Sequence, residues 1–219
     1  MSCRKPLNPV LRAVLSGLTL AAAGTLCAAG VLYLRLEILD PYLKERSAWI
    51  TPKLETQFNL LFPPEALGRG AWFRCHTISH ELTGPRMRLY TSSKDGRIAG
   101  YVMTYATSRG YSNPLILIAG FDRQKNVYRV DLEFTQETPG IGDQIERRNS
   151  DFLDALSGRN LENTRWDLTA YGGDFDFIAG ATVTSRAVVL ATADALTALR
   201  ETDAATLPDC SQERRRRRR

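Results

Sequence analysis

Three hydroxyl-bearing side chains stand close together near the C-terminal end of the chain. Thr182, Thr184 and Ser185 follow the small residues Gly180 and Ala181. The small residues let a bulky group approach the backbone, and the hydroxyls fall where a helix is predicted to begin, with Thr184 or Ser185 as its N-cap. Free N–H groups and the helix dipole favour an anion there. A hydroxyl at this place could hydrogen-bond a phosphate or be esterified to one, but a simple capped turn explains the same residues.

A second segment, Glu137–Asp143, follows an apolar run that is predicted to be a strand. Its Pro139, Gly140 and Gly142 predict a tight turn with exposed amides. Such a turn can lay backbone against a flat ligand or an anion. Most Pro-Gly turns only reverse the chain, so the pattern by itself leaves both interpretations open.

Other common chemistries find little support in the sequence. His76 and His80 are the only histidines, and although they stand four residues apart, their surroundings show no helical face that would suit a metal. We interpret them as ordinary strand or surface residues, and predict no metal site and no catalytic residue. The chain also lacks the P-loop and the G-x-S-x-G motif, which argues against common NTPases and hydrolases.

Asp176–Thr182 resembles the flavin-attachment motif of FMN-binding domains, in which an Asp and two variable residues precede a small hydroxyl residue and then Gly-Ala-Thr. Ala179 occupies the place of the usual Ser or Thr. Gly110–Leu115 and Glu137–Asp143 are similar to two further segments of that family, in the same order. The resemblance covers about residues 10 to 200. Within the family, the length and the Gly172–Asp176 lead-in resemble the G subunits of Rnf (Rsx) electron-transport complexes.

This resemblance implies a covalent phosphoester between FMN and Thr182, formed by a dedicated flavin transferase. Asp176 would serve recognition by the transferase or metal-assisted attachment. The Thr138–Gly142 turn would pack on the flavin ring, with Tyr111 nearby. The full set of implied cofactor-binding residues is Asp176, Gly180, Ala181, Thr184, Ser185, Glu137, Thr138, Gly140, Ile141 and Tyr111.

The implied function is electron transfer within a membrane-bound, ion-translocating ferredoxin:NAD oxidoreductase, as a subunit and not as a stand-alone enzyme. Its partners would be the other membrane, iron-sulfur and flavin subunits of the Rnf complex, the flavin transferase, and membrane lipid. Two alternatives remain open at this point. One is the C-type subunit of sodium-translocating NADH:quinone reductase, and the other is a flavin-free, membrane-anchored scaffold.

The uncharged run Ala13–Leu34 is long enough for a helix to cross a hydrocarbon core of about 30 Å. A cleaved signal peptide is the alternative, but no good small-x-small cleavage site follows the run. We therefore expect a retained transmembrane helix. Arg4, Lys5 and Arg12 precede it, so the N-terminus is expected in the cytoplasm and the domain in the periplasm, on the inner membrane.

The net charge of +5 comes from the two ends of the chain. Without the terminal run Arg214–Arg219 and the basic residues before the apolar run, acidic residues outnumber basic ones. We expect no nucleic-acid binding, although an arginine tail can contact phosphates. Cys75 and Cys210 would share the oxidising compartment and could form a disulfide. The absence of C-x-x-C argues against thiol-redox chemistry.

The hydrophobic pattern predicts a single α+β domain in which helices flank an antiparallel sheet. Tight turns separate the predicted strands, which implies antiparallel pairing. Predicted strands cover residues 86–91, 98–106, 115–121 and 127–134, and predicted helices cover 36–61, 150–156 and 185–199. The predicted organisation is a cytoplasmic N-terminus (1–12), a transmembrane helix (13–34), a helical linker (35–70), a periplasmic FMN-binding domain (71–205) and a disordered arginine-rich tail (206–219).

Overall fold

The computed structural model describes residues 25–33, 52–112 and 114–210. Within these, a five-stranded antiparallel sheet forms the centre of the domain, with strand order β1-β2-β3-β4-β5. The predicted α+β class with an antiparallel sheet is confirmed. The strands are β1 (Trp72–His80), β2 (Gly84–Lys94), β3 (Arg97–Thr107), β4 (Leu115–Asp122) and β5 (Val127–Phe134).

The four predicted strands correspond to β2 through β5, and β1 was missed. In β1 the buried side chains are Cys75, His76 and Ile78, so polar residues interrupt the apolar pattern. β2 and β3 are joined by a two-residue turn in which Asp95 and Gly96 both have positive φ, at 52° and 73°. A turn of this kind matches the twist of a hairpin, which explains why Asp-Gly predicts the reversal.

Two α-helices accompany the sheet, α1 (Pro52–Leu61) and α2 (Thr182–Glu201). The helix predicted to begin at Ser185 thus begins three residues earlier. The helix predicted over 150–156 is only a 3-10 turn, Phe152–Leu156. Further 3-10 turns are Pro64–Ala66, Gly142–Ile145 and Thr169–Tyr171.

α2 covers one face of the sheet. Its apolar face consists of Val188, Ala191, Ala195, Leu196 and Leu199, all buried. The Tyr105 hydroxyl of β3 lies 2.9 Å from the Thr192 hydroxyl, and complete burial raises the pKa of Tyr105. This packing fixes the axis of α2 on the sheet and therefore the position of its first turn.

The segment around α1 packs on the opposite face. Gly100 of β3 lies against Ala66. Gly100 and Tyr105 are separated by an odd number of positions along β3, so they face opposite sides of the sheet. Phe58 and Phe62 form an aromatic cluster with Phe73 and Tyr90, with ring centroids 4.9–5.5 Å apart. The compact unit that contains the sheet begins at Glu55, earlier than the predicted boundary at residue 71.

The outer edge of β1 is covered by the C-terminal strap, which we define as residues 204–210. Pro208 accepts a hydrogen bond from the Thr77 amide at 3.0 Å, and Asp209 forms an antiparallel bridge with His76. Cys75 and Cys210 are joined by a disulfide with their Cα atoms 5.5 Å apart. Ordered chain therefore continues beyond residue 206, where the tail was predicted to start.

The N-terminal part of the chain is described only over residues 25–33, which are helical. None of the helices in the described residues is both long and apolar enough to cross a membrane. Most of the predicted span, residues 13–24, lies outside the described residues. So do the predicted cytoplasmic segment 1–12 and residues 211–219, which carry the arginine run.

Candidate functional site

The first turn of α2 leaves its backbone amides without an acceptor in the helix. The helix begins at Thr182, and its N-cap is Ala181, which supplies no capping side chain. The first helical hydrogen bond runs from the Ser185 amide to the Ala181 carbonyl at 2.8 Å. The amides of residues 182–184 therefore have no acceptor within the helix. The expectation that Thr184 or Ser185 caps the helix is wrong, because both lie inside the first turn.

The three hydroxyls of this turn have different environments. Thr184 is 1% exposed and donates to Oε2 of Glu137 at 2.9 Å. Ser185 is fully buried, and its oxygen accepts a hydrogen bond from the Ile178 amide at 3.2 Å. The Thr182 side chain is only partly buried, and no hydrogen bond occupies its hydroxyl within the described part of the chain. Of the three, Thr182 alone is accessible.

The predicted turn after β5 lies against the segment that leads into α2. The Thr138 carbonyl accepts hydrogen bonds from the amides of Ile141 and Gly142, at 3.1 and 2.9 Å. Ile141 is 49% exposed. Gly180 has φ of +83°, and a Cβ at that position would lie 3.7 Å from a methyl of Ile141. The two turns are thus neighbours on the surface, with a half-exposed aliphatic side chain between them.

Glu137 connects these turns to a third segment. It is 6% exposed, and its Oε1 accepts a hydrogen bond from the Ser112 amide at 3.1 Å while Oε2 accepts from Thr184. Glycines make room for this carboxylate. A Cβ on Gly110 would lie 2.6 Å from Oε1, and one on Gly142 would lie 2.7 Å from the Cβ of Glu137. We call the three segments that meet here, residues 110–112, 137–142 and 178–185, the site corner.

A loop held by an ion pair borders the site corner. Arg186, next to Ser185 in α2, donates two hydrogen bonds to the Asp167 carboxylate, at 2.8 and 2.7 Å. Its guanidinium also lies 4.1 Å from the centroid of the Tyr171 ring. The hydrogen bonds from Arg186 lower the pKa of Asp167. Sequence reasoning missed this pair, since a single arginine and a distant aspartate carry no pattern that would join them.

Two of the residues named from the sequence stand at the rim. Asp176 is exposed, and its Oδ1 lies 3.5 Å from the Thr169 hydroxyl. Tyr111 is 73% exposed, although its neighbours Gly110 and Ser112 both contact Glu137. The other named residues of the three segments belong to the site corner itself. Sequence reasoning did not single out Ser112, whose backbone amide is the group that takes part.

The two histidines lie away from this corner. His76 is buried in β1 with its Nε2 3.4 Å from the Thr91 hydroxyl, and burial lowers its pKa. His80 at the end of β1 forms an ion pair with Glu201 at 3.1 Å when protonated. Among the described residues, no three His, Cys, Asp or Glu side chains are grouped so that they could hold a metal ion.

Comparison with known proteins links the site corner to a family. The FMN-binding domain family matches residues 110–197, which include all three segments of the corner. The chain is 32% identical over 161 residues to the G subunit of the ion-translocating oxidoreductase complex of Cronobacter sakazakii, covering 71% of this chain and 77% of that protein.

Two further relatives carry the same name. Identity is 33% over 136 residues with the protein of Salmonella typhimurium and 32% over 136 residues with that of Escherichia coli K12. Each alignment covers 60% of this chain and 66% of the relative, so the chain spans about two thirds of the length of these two proteins. The chain belongs to the family of G subunits of ion-translocating oxidoreductase complexes and contains their FMN-binding domain.

Proposed function

We propose that this chain is an electron-carrying subunit of an Rnf-type ion-translocating ferredoxin:NAD oxidoreductase, with FMN linked covalently through its phosphate to Thr182. The observation that carries the attachment site is the contrast among the three hydroxyls. Thr184 and Ser185 are buried and hydrogen-bonded, whereas Thr182 is accessible at the first position of α2. An enzyme that esterifies a hydroxyl must reach it, and Thr182 is the one it can reach.

The residues of the site corner fit a flavin phosphate and ring. The open amides at the start of α2 suit a phosphate, because N–H groups and the helix dipole both favour negative charge. Gly140 and Gly180 leave space beside the two turns, since nothing lies within 4 Å of a Cβ on Gly140 and only Ile141 is near one on Gly180. Ile141 and Tyr111 offer exposed apolar surface for a flat ring.

Bound FMN supplies the redox chemistry, because its ring accepts and releases electrons. The chain's own residues then need only hold it. Thr182 would provide the ester oxygen, the amides of the first turn of α2 would bind the phosphate, and the Thr138–Gly142 turn would limit the position of the ring. Electron transfer by bound FMN would require no acid, base or nucleophile of this chain.

Attachment requires a separate flavin transferase. In that step the Thr182 hydroxyl oxygen would form a bond to a phosphorus atom of a flavin dinucleotide. The pyrophosphate bond of the donor would break with loss of a nucleoside monophosphate, and the hydroxyl proton would pass to the transferase or solvent. Asp176 lies exposed ahead of Thr182, where the transferase can contact it. A covalent ester keeps the cofactor in place whatever its affinity, which matters outside the cytoplasm.

The topology belongs to the same proposal. Residues 13–34 would span the inner membrane with the N-terminus in the cytoplasm, and the domain would lie in the periplasm beside the other subunits of the complex and the lipid surface. The Cys75–Cys210 disulfide supports this side of the membrane, because disulfides persist in oxidising compartments.

The test compares Thr182→Val with Thr184→Val in cells that contain the flavin transferase. After denaturing electrophoresis, the wild-type band should fluoresce under ultraviolet light, Thr182→Val should be dark, and Thr184→Val should keep its fluorescence. A dark wild-type band would overturn the carrier function in favour of a scaffold. The reverse pattern in the two variants would move the attachment site to Thr184. Purification in mild detergent with identification of the copurifying subunits tests the assignment to an Rnf-type complex against a sodium-translocating quinone reductase.

A further inference from the structure

The Glu137 carboxylate is buried, yet it has no cationic partner among the described residues. It is 6% exposed, and within the described residues its side chain accepts hydrogen bonds only from the Ser112 amide and the Thr184 hydroxyl. Burying a charged group is costly unless the groups around it compensate. Ion pairs in the described part of the chain involve other carboxylates. The burial of the Glu137 carboxylate without a cation therefore calls for a physical explanation.

The two donors come from different segments of the chain. Ser112 precedes β4 and is 25 residues from Glu137, while Thr184 lies in the first turn of α2, 47 residues away. Each carboxylate oxygen takes one of them. The side chain of Glu137 is nearly fully buried and is hydrogen-bonded to both segments. It therefore fixes the distance of each segment from the turn that contains Glu137.

Space around the carboxylate is limited by backbone, not by flexible side chains. Gly110 and Gly142 approach so closely that a Cβ on either would lie under 3 Å from atoms of Glu137. Each oxygen already accepts one hydrogen bond, and only 6% of the residue is exposed. A flavin therefore has little access to the carboxylate.

We propose that Glu137 is a positioning residue that ties the three segments of the site corner together through its two carboxylate oxygens, and that it does not itself contact the flavin. The proposal rests on the proposed function for the identity of the ligand, but the ties themselves belong to the unloaded protein. A role in geometry alone needs two acceptor or donor positions at the right places. It does not need the negative charge.

The experiment uses the full-length chain in detergent, with and without coexpressed flavin transferase, and compares Glu137→Ala with Glu137→Gln. Glutamine keeps an oxygen for the Ser112 amide, and its NH₂ group can donate to the Thr184 hydroxyl. Glu133→Ala serves as the control, because Glu133 is exposed on β5 and lies four residues earlier. The readouts are amide hydrogen exchange in the unloaded protein and the fluorescence of the covalently loaded band.

In the unloaded protein, Glu137→Ala should speed exchange at the Ser112 and Ser185 amides at least about tenfold, the factor that corresponds to about 1.4 kcal/mol of local opening. Amides in the centre of the sheet should keep their protection. With the transferase present, the same variant should lose most of its flavin fluorescence. Glu137→Gln should restore both readouts to near the wild-type level, and Glu133→Ala should change neither.

Three results would overturn the proposal. Unchanged exchange at Ser112 in Glu137→Ala would show that the tie does not hold that segment. A Glu137→Gln variant with wild-type exchange but without flavin would show that the charge, and so a direct role toward the cofactor, is what matters. If Glu137→Ala does not fold, the test uses Glu137→Gln alone. Loss of protection at the Ser112 amide in that variant would then overturn the proposal. Absence of flavin from the wild-type chain would refute the proposed function instead, and would leave the exchange test valid.

Discussion

The site corner and the strapped edge of β1 hold distant parts of the chain together by different means. At the strapped edge, a covalent bond joins Cys75 to Cys210, and backbone pairing next to it involves Thr77 and Pro208. In the site corner, three segments meet on the oxygens of one buried glutamate. Both arrangements join residues that are far apart in sequence, but only one of them leaves backbone amides open.

The difference agrees with the role proposed for each region. Strand edges attract other strands, so an edge that is paired and covalently fixed protects the fold. A cofactor site must keep donors free, so its segments cannot be joined through their own backbone amides. A buried side chain with two acceptor oxygens can hold the segments from behind and leave the first turn of α2 open. Damage to the strapped edge should therefore leave covalent flavin loading unchanged.

Removal of the disulfide should give the largest loss of stability. The double variant Cys75→Ala with Cys210→Ala should lower the free energy of unfolding by about 2–4 kcal/mol, because the bond closes a long loop in the unfolded chain. Denaturant unfolding followed by circular dichroism measures this, with Cys27→Ala as the control. Covalent flavin fluorescence should remain at the wild-type level in the variant. Loss of fluorescence at a temperature where the variant is still folded would break the separation between the two regions.

Gly142→Ala should damage the site corner. The added methyl group would lie 2.7 Å from the Cβ of Glu137, so the turn or the glutamate must move. We expect a loss of about 1–3 kcal/mol in unfolding free energy and a marked loss of covalent flavin in the folded fraction. Glu133→Ala is the control, since it changes an exposed side chain of β5 outside the site corner. Full stability and fluorescence in Gly142→Ala would contradict the tight packing around Glu137.

The smallest expected effect is a pH dependence of stability that arises from His76, which lies under the C-terminal strap. Burial lowers its pKa below the ordinary value of 6.5, with the Leu207 carbonyl and Asp209 opposing and Arg74 assisting. The unfolded chain therefore binds more protons than the native protein as the pH falls below about 6.5. Stability should decrease on acidification through this range, by at most about 1.4 kcal/mol per pH unit from this group.

The measurement for His76 is the free energy of unfolding between pH 5 and 8 in the wild-type protein and in His76→Gln. The variant should show a shallower decrease on the acidic side. Equal slopes would show that the strap does not bury His76 in solution. Flavin attachment at neutral pH should not differ between the wild-type protein and His76→Gln, because the strap takes no part in the site corner.

Much of the fold could be predicted because local patterns decided it. β2 to β5 carry apolar runs separated by turn residues such as Asp95 and Gly96, whose positive φ only certain residues adopt easily. β1 was missed because one of its edges pairs with the strap and carries the disulfide, which polar residues such as His76 do not reveal. The start of α2 was placed late, since Thr182 itself, and not a capping residue, opens the helix.

The sequence alone predicted four of the five strands, the apolar face of α2 and, through a family resemblance, a flavin-attachment motif that ends at Thr182. These are local properties, encoded by the spacing of neighbouring residues. The tertiary structure decided which of the three hydroxyls is accessible, and gave Glu137 two distant partners. The physical reason is burial, which depends on what the rest of the chain packs against each group. The three segments of the site corner meet only because the sheet and α2 bring them to the carboxylate of Glu137.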